Sequence, residues 1–312
     1  MRTPSRRAFG AGAAALAGSA VVGSGGLVAQ PTAVVHRFAV GAATITVVSD
    51  GYMELPPAIM LPNRPHGDID ALFQGVGQPF TGLVSQINVA LVDIGRERIL
   101  VDAGSGPDFV ATMGKLGERL EGAGIGVDTV TRVVFTHAHV DHIGGVIDPF
   151  GAGTIFEKAE HTMAGAEFDW WMLPDVDTRV SENFRGMALG THRRLKIVAD
   201  RITREAPGAE IVPGVQLVDT SGHTPGHMSV LVRSGSEQLL IGGDVLIQHV
   251  VSFAAPDWRS GPDMDPAKAI AARRRMLDML VTDRTLLLGY HLPWPGVGRV
   301  ERAGSAWRFV AG

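Results

Sequence analysis

The sequence predicts an α/β (α+β) protein built in layers, and three observations carry that expectation. Short apolar runs rich in β-branched residues recur at residues 87–92, 99–101 and 133–135, as buried strands do. Between the second and third, Phe109, Met113, Leu116 and Leu120 recur at helical spacing, so strand, helix and strand alternate as in layered α/β folds. The third run then leads into Thr136-His137-Ala138-His139-Val140-Asp141-His142-Ile143-Gly144-Gly145, which sets four candidate metal ligands within six residues at a strand end.

Composition bounds the rest. The chain has 312 residues, 45% of them hydrophobic, which is ample for a core in one large domain or about two. A formal charge of -4 gives no basic excess, and no long Lys/Arg run stands outside one helix, so no nucleic-acid partner is expected. The absence of cysteine excludes disulfides, thiolate ligands and a cysteine nucleophile. At the N-terminus, Ser5-Arg6-Arg7-Ala8-Phe9 precedes an acid-free Ala/Gly/Val stretch ending near Ala29. It resembles a bacterial twin-arginine export signal, so residues 1–29 are expected to be a leader and residues 30–312 one domain, periplasmic or secreted. Six glycines between Gly10 and Gly26 make the stretch poorly hydrophobic, which argues against a stable membrane anchor after cleavage. No repeat or linker suggests a second domain.

In order along the chain, residues 36–50 read as two short strands, 44–48 the clearer, ending at the turn Asp50-Gly51. Residues 55–65 are proline-rich and irregular, as a segment crossing the surface is. The runs 87–92 and 99–101 flank Gly95-Arg96-Glu97-Arg98, a hairpin signature. A helix is expected over residues 109–120, then a loop through Gly122, Gly124 and Gly126. Residues 156–204 form a polar, largely helical stretch carrying Phe168, Trp170, Trp171, Met172 and Phe184, which suit a substrate pocket or an ordinary core equally. Strands at 217–220, 239–241 and 285–288 follow. A helix opens at Asp265-Pro266, with Ile270, Leu277, Leu280 and Val281 on one face and Arg273, Arg274 and Arg275 in solvent.

On an extended backbone, side chains at i and i+2 share a face, so His137 and His139 can converge on one cation while Asp141 and His142 turn towards a second. Two metal ions are therefore expected, and the paired glycines suit a tight turn into a helix. The stretch resembles the His-x-His-x-Asp-His signature of the metallo-β-lactamase superfamily. That resemblance covers roughly residues 35–310 and implies a four-layer αββα sandwich, with further ligands downstream. His223, in the rigid turn from Ser221 to His227, would complete the first set with His137 and His139. Asp244, an acid ending a buried strand, is the candidate bridge, because a buried carboxylate is costly unless cations pair with it. His291 would complete the second set with Asp141, His142 and Asp244. By the same resemblance His227 is structural and Asp102 supports a ligand from behind, although Asp102 also reads as a cap of the next helix.

Two divalent cations sharing a carboxylate can hold a bridging water and present hydroxide to a carbonyl or phosphoryl centre, with Asp141 or Asp244 accepting a proton. Histidine and carboxylate ligands suit zinc, and also manganese, iron or cobalt. The best-known class B β-lactamases use a cysteine ligand, which this chain lacks. Quorum-quenching lactonases usually carry a tyrosine soon after the bridging acid, where Val245-Leu246-Ile247 stands here. The methyl parathion hydrolase-like branch is more similar, in Ser49-Asp50-Gly51, Gly222-His223-Thr224-Pro225-Gly226-His227, Gly243-Asp244, His291-Leu292 with Pro295-Gly296-Val297-Gly298, and Trp307-Arg308-Phe309-Val310. That likeness implies a pocket lined by Phe109, Trp171, Phe184 and Ile247, and a small neutral, apolar ester, lactone or phosphotriester as substrate. The alternatives are a lactonase without the usual tyrosine, a β-lactamase, or a non-hydrolytic iron-dependent oxygenase or metal-binding protein of the same fold. A homodimer stays open.

Overall fold

The computed structural model describes residues 33–148 and 153–312, so the expected leader lies outside the described residues. Among the described residues, fourteen strands form two seven-stranded sheets. The first runs in chain order through β1 (Val35–Val40), β2 (Ala43–Leu55), β3 (Leu83–Ile94), β4 (Glu97–Val101), β5 (Arg132–Val134), β6 (Glu160–Ala164) and β7 (Ile202–Glu205). The second holds β8 (Glu210–Val212), β9 (Val215–Asp219), β10 (Met228–Ser234), β11 (Glu237–Ile241), β12 (Leu286–Leu288), β13 (Val297–Ala303) and β14 (Ala306–Ala311). The helices are α1 (Pro57–Met60), α2 (His66–Gly75), α3 (Leu116–Gly122), α4 (Val140–Ile143), α5 (Gly165–Trp171), α6 (Arg185–Val198), α7 (Val251–Ala254) and α8 (Pro266–Thr282). No helix of the described residues is long and apolar enough to cross a membrane.

Alternation along the strands produces the layers. In β3, Ala90 and Val92 face the core between the sheets while Ile87, Val89 and Leu91 face the opposite side, beneath α3, α5 and α6. In β11, Leu239 and Ile241 enter the shared core and Leu240 packs under α8 with Leu277 and Leu280. A period of two thus commits each strand to two apolar interfaces, and helices must cover both outer faces. The result is the four-layer αββα sandwich. Truncating a side chain such as Leu240 to alanine in this arrangement costs about 2–5 kcal/mol.

Several local expectations change. The second strand does not end at Asp50-Gly51: β2 continues to Leu55 past a bulge at Ser49/Gly51, and Asp50 turns its carboxylate into the protein. There it accepts from the backbone N–H groups of Ser105, Gly114 and Leu116 at 2.7–3.1 Å, pinning the segment after β4. Consequently the helix expected over 109–120 is only α3, because Gly106 and Gly114 take positive φ within the pinned loop. Residues 55–65 are not a mere surface crossing. They contain α1, and Met60 and Leu61 are buried against Ile247, Val250 and Val251. The stretch 156–204 also holds β6 and β7, whose few residues sit among polar neighbours. Finally, Arg273 points inward, at 3% exposure, whereas Arg274 and Arg275 are in solvent.

Candidate metal centre

The site lies where strands of both sheets end. β4 and β5 are parallel neighbours in one sheet, β11 and β12 in the other, and the loops after them meet at one edge of the sandwich. Ligand sites outside the carboxyl ends of parallel strands are the rule for open α/β sheets. β5 delivers the 137–142 stretch, the turn after β9 delivers His223, β11 delivers Asp244 and β12 delivers His291. The helix begins inside the motif rather than after its glycines: α4 starts at Val140 and carries Asp141 and His142, whose Oδ2 and Nε2 lie 3.6 Å apart. Gly145 then presses so close to the Ala103 carbonyl oxygen that a Cβ would stand 2.0 Å from it, so only glycine fits.

The seven predicted positions come together as two groups. His137, His139, His223 and Asp244 form one; Asp141, His142 and His291 form the other. Asp244 joins them. Its Oδ2 lies 3.2 Å from His223 Nε2 and 3.9 Å from His137 Nε2, and its Oδ1 lies 3.2 Å from Nε2 of both His142 and His291. Asp141 Oδ2 stands 3.3 Å from His291 Nε2. Nδ1 of His139 faces Nε2 of His223 at 3.0 Å.

Apart from the His139–His223 pair, several of these atoms are brought together without being satisfied by one another. Asp244 Oδ1 and Nε2 of His137 and His142 are buried and lack hydrogen-bond partners, despite the short distances. Buried polar atoms in native proteins are normally paired, and an unpaired one costs about 1–3 kcal/mol. Imidazole nitrogens and carboxylate oxygens converging in this way fit divalent cations in both groups.

Four of the five histidines are held from their other nitrogen, as metal-ligating histidines are. His142 Nδ1 meets Asp102 Oδ2 at 2.8 Å, His223 Nδ1 meets Asp263 Oδ1 at 3.1 Å, and His291 Nδ1 donates to the Gln86 carbonyl at 2.9 Å. His137 Nδ1 lies 3.1 Å from Thr136 Oγ1. Asp102 does not cap a helix. It adopts φ 62 and accepts also from the Thr136 amide and hydroxyl, both at 2.8 Å; such strain costs about 1–3 kcal/mol and persists where surroundings enforce it. His227 stands outside both groups. Its Nε2 accepts from the Asp244 amide at 2.9 Å and its Nδ1 meets Thr220 Oγ1 at 2.8 Å, so it fixes the backbone of the shared acid.

Charges follow the geometry. Burial holds His137 well below the ordinary histidine value and His139 down at about 3, with neighbouring histidines adding to the effect. Burial also opposes charge on His223 and His291, yet Asp244 together with Asp263 at the first and Asp141 at the second outweighs it and raises them to about 9 and about 10. Burial acts to raise Asp244, but His291, His142 and His223 together hold it well below the carboxylate range. Asp244 therefore carries a fixed negative charge, with His223 and His291 favouring the protonated form beside it and His137 and His139 kept neutral.

A cavity of about 150 Å³ opens beside His139, with Trp171, Val180, Phe184 and Met187 on its walls. Trp171 is fully buried, and its ring meets that of His139 edge to face at 5.6 Å between centroids. Two arginines reach the cavity: Arg179 is paired with Asp175 at 2.9 Å, while Arg259 is exposed. Of the four expected pocket residues, Trp171 and Phe184 line this cavity. Phe109 does not, being 38% exposed on the loop pinned by Asp50, and Ile247 is buried against Met60 and Leu61 instead. Helical spacing does not show the turns at Gly106 and Gly114 that shape the loop carrying Phe109.

Asp263 was not anticipated. It sits in the loop Ser260-Gly261-Pro262-Asp263, and its buried carboxylate joins His223 to Arg273, whose Nη2 donates to Oδ2 at 3.0 Å. Arg273 also donates to the carbonyls of Val245, Pro256 and Trp258 at 2.9–3.3 Å. Nothing local marks either residue; only the buried contact shows their role.

Comparison with known proteins agrees with this geometry. The sequence model of the metallo-beta-lactamase superfamily matches residues 82–291. An N-acyl homoserine lactonase of Bacillus sp is 22% identical over 165 residues, covering 51% of this chain and 54% of the relative. A Bacillus thuringiensis N-acyl homoserine lactonase is 23% identical, covering 55% of this chain and 60% of the relative. The chain thus spans little more than half the length of these curated relatives. Among solved structures, AidC, a dizinc quorum-quenching lactonase in complex with a product, superposes with a TM-score of 0.83 at 24% identity, over 89% of this chain and 97% of that one. The hydrolase AbOPH of the beta lactamase superfamily gives 0.82 at 24% identity, over 90% and 98%. At that identity both establish the fold alone.

Proposed function

The chain belongs to the metallo-β-lactamase superfamily, and from that premise we propose that it is a dinuclear metal-dependent hydrolase of neutral, apolar esters, lactones or phosphotriesters, with lactones foremost. The observation that carries the reading is Asp244, which turns one carboxylate oxygen to each histidine group. His137, His139 and His223 would hold one cation, Asp141, His142 and His291 the other, and Asp244 both; zinc suits this donor set. When bound, such cations bring the pKa of water towards neutrality and withdraw charge from a carbonyl or phosphoryl oxygen.

The chain's own residues do the rest. Trp171, Val180, Phe184 and Met187 take the apolar part of the substrate by burial and stacking. The cavity is smaller than the usual small-molecule pocket of about 300–1,000 Å³, so it receives the group next to the reacting bond. Asp141 and Asp244 are the carboxylates placed to accept a proton. Neither tyrosine assists at the site in the manner usual for lactonases: Tyr290 is buried with its hydroxyl donating to the Asp141 carbonyl, and Tyr52 lies on β2. Lactones are favoured over other esters because the two curated relatives described above are N-acyl homoserine lactonases, although a thioesterase also matches. The likeness to methyl parathion hydrolases keeps phosphotriesters in view, and the Arg6-Arg7 leader supports export to the periplasm or beyond.

The test is kcat/KM for an acyl homoserine lactone and an aryl phosphotriester, on metal-replete and metal-depleted protein. Metal-dependent turnover with a lactone preference supports the reading. Two bound metal equivalents with no hydrolysis of lactones, aryl esters or phosphotriesters would overturn it.

A further inference from the structure

Glu167, on α5, is fully buried, and no cation pairs with it among the described residues. A lone buried carboxylate is costly unless hydrogen bonds replace its water. Here N–H donors from three places supply them. Oε1 accepts from the Ala138 amide at 2.9 Å and from Trp171 Nε1 at 2.6 Å, and Oε2 accepts from the Gly226 amide at 2.8 Å.

Two of those donors belong to the segments that carry the first histidine group. Ala138 lies between His137 and His139, and Gly226 lies in the turn that carries His223. Gly226 approaches so closely that a Cβ there would meet the Glu167 backbone nitrogen at 2.2 Å. The other side of Ala138 is gripped as well, since its carbonyl accepts from Thr191 Oγ1 of α6 at 2.9 Å. One carboxylate therefore spans the two loops whose separation sets the His139–His223 approach, and α6 fixes the same peptide from behind. The second group has no such tie to Glu167: His142 and His291 are held through Asp102 and Gln86.

We propose that Glu167 is a positioning residue for the first metal site, holding the His137–His139 segment and the His223 turn at the separation that cation binding requires, with Thr191 assisting. The proposal rests on the reading of the two histidine groups as metal sites. Amide N–H groups and the indole N–H can only donate, so both oxygens of Glu167 must accept. An isosteric Glu167→Gln side chain keeps the packing but turns its NH2 towards at least one of these donors.

The full chain, stripped of metal, is titrated with Zn²⁺ against a chromophoric chelator, and folding is followed by circular dichroism. Two backgrounds separate the sites: His291→Ala leaves the first group as the measured site, and His223→Ala the second. With Glu167→Gln, affinity is expected to fall about 10–100-fold in the His291→Ala background, the usual loss when a ligand's support is removed. In the His223→Ala background it is expected to change by less than about 3-fold. Thr191→Val should weaken the first site alone, by a smaller factor, and decides the matter if Glu167→Gln does not fold. Unchanged first-site affinity in Glu167→Gln, equal losses at both sites, or, for an unfolded Glu167→Gln, an unaffected Thr191→Val would each overturn the proposal. Failure of the otherwise unsubstituted protein to bind two equivalents would instead overturn the dinuclear reading on which it rests.

Discussion

Arg273→Met separates two physical descriptions of the same residue by several kcal/mol. An arginine on a solvated helix face is worth at most about 0.5 kcal/mol when replaced. Arg273 is instead 3% exposed, paired at 3.0 Å with the buried Asp263, and donates to three carbonyls. Removing one partner of a buried pair costs about 3–5 kcal/mol, and each carbonyl left unpaired would cost about 1–3 kcal/mol if it found no water. These contributions overlap, so about 4 kcal/mol is expected. The assay is urea unfolding of metal-free protein for the unsubstituted chain, Arg273→Met, Asp263→Asn and the double variant. The double variant should be less destabilised than the sum of the singles by about 1–3 kcal/mol, because the uncompensated charge disappears when both partners go. Arg274→Met, whose partner Asp257 is exposed, serves as the control and should cost less than about 1 kcal/mol. A loss under about 0.5 kcal/mol for Arg273→Met, or strict additivity in the cycle, would refute the reasoning.

Gly145→Ala should destabilise by about 1–3 kcal/mol, because the added Cβ meets backbone at Ala103. Gly117→Ala, in open space on α3, should be neutral or stabilising by about 0.4–1 kcal/mol; thermal or urea midpoints of the pair check both signs. In steady-state kinetics with the preferred substrate, Phe184→Ala should raise KM because Phe184 walls the cavity beside His139. Phe109→Ala should leave KM unchanged, and equal effects of the two would mean that the loop carrying Phe109 reaches the substrate.

Much of the site was legible because its ligands lie in short, dense patterns. His137 to His142 sit within one stretch, and Asp244 and His291 each end an apolar run, positions that the resemblance to the metallo-β-lactamase superfamily picks out as ligands. The order of strands and helices gives a layered α/β arrangement, and the four-layer sandwich follows from the family resemblance; the alternation that divides Leu239 and Ile241 from Leu240 is seen in the structure. What escaped depends on contacts distant in sequence. Asp50 sets the conformation of residues 105–116 through three backbone amides, and neither helical spacing nor turn propensity contains that information. Arg273 looked solvated because Arg274 and Arg275 are, yet 3.6 residues per turn puts adjacent positions on different faces. Glu167, Thr191 and Asp263 act through backbone groups or other side chains that only the fold brings near.

The distribution of the ligands over the two sheets has a mechanical consequence. His137, His139, Asp141 and His142 hang from the first sheet, and His223, Asp244 and His291 from the second, while the core between the sheets is mainly apolar side-chain packing, with Asn88 of β3 donating to the Gly289 and Leu292 carbonyls across it. Cations held at this edge tie the halves together at points far apart in sequence, closing long loops of chain as cross-links do. A protein without a single cysteine thereby has a removable fastener along the seam of its sandwich. With ions bound there, parting the sheets at that edge would require their release, so the stability of the folded state would rise with the free metal concentration.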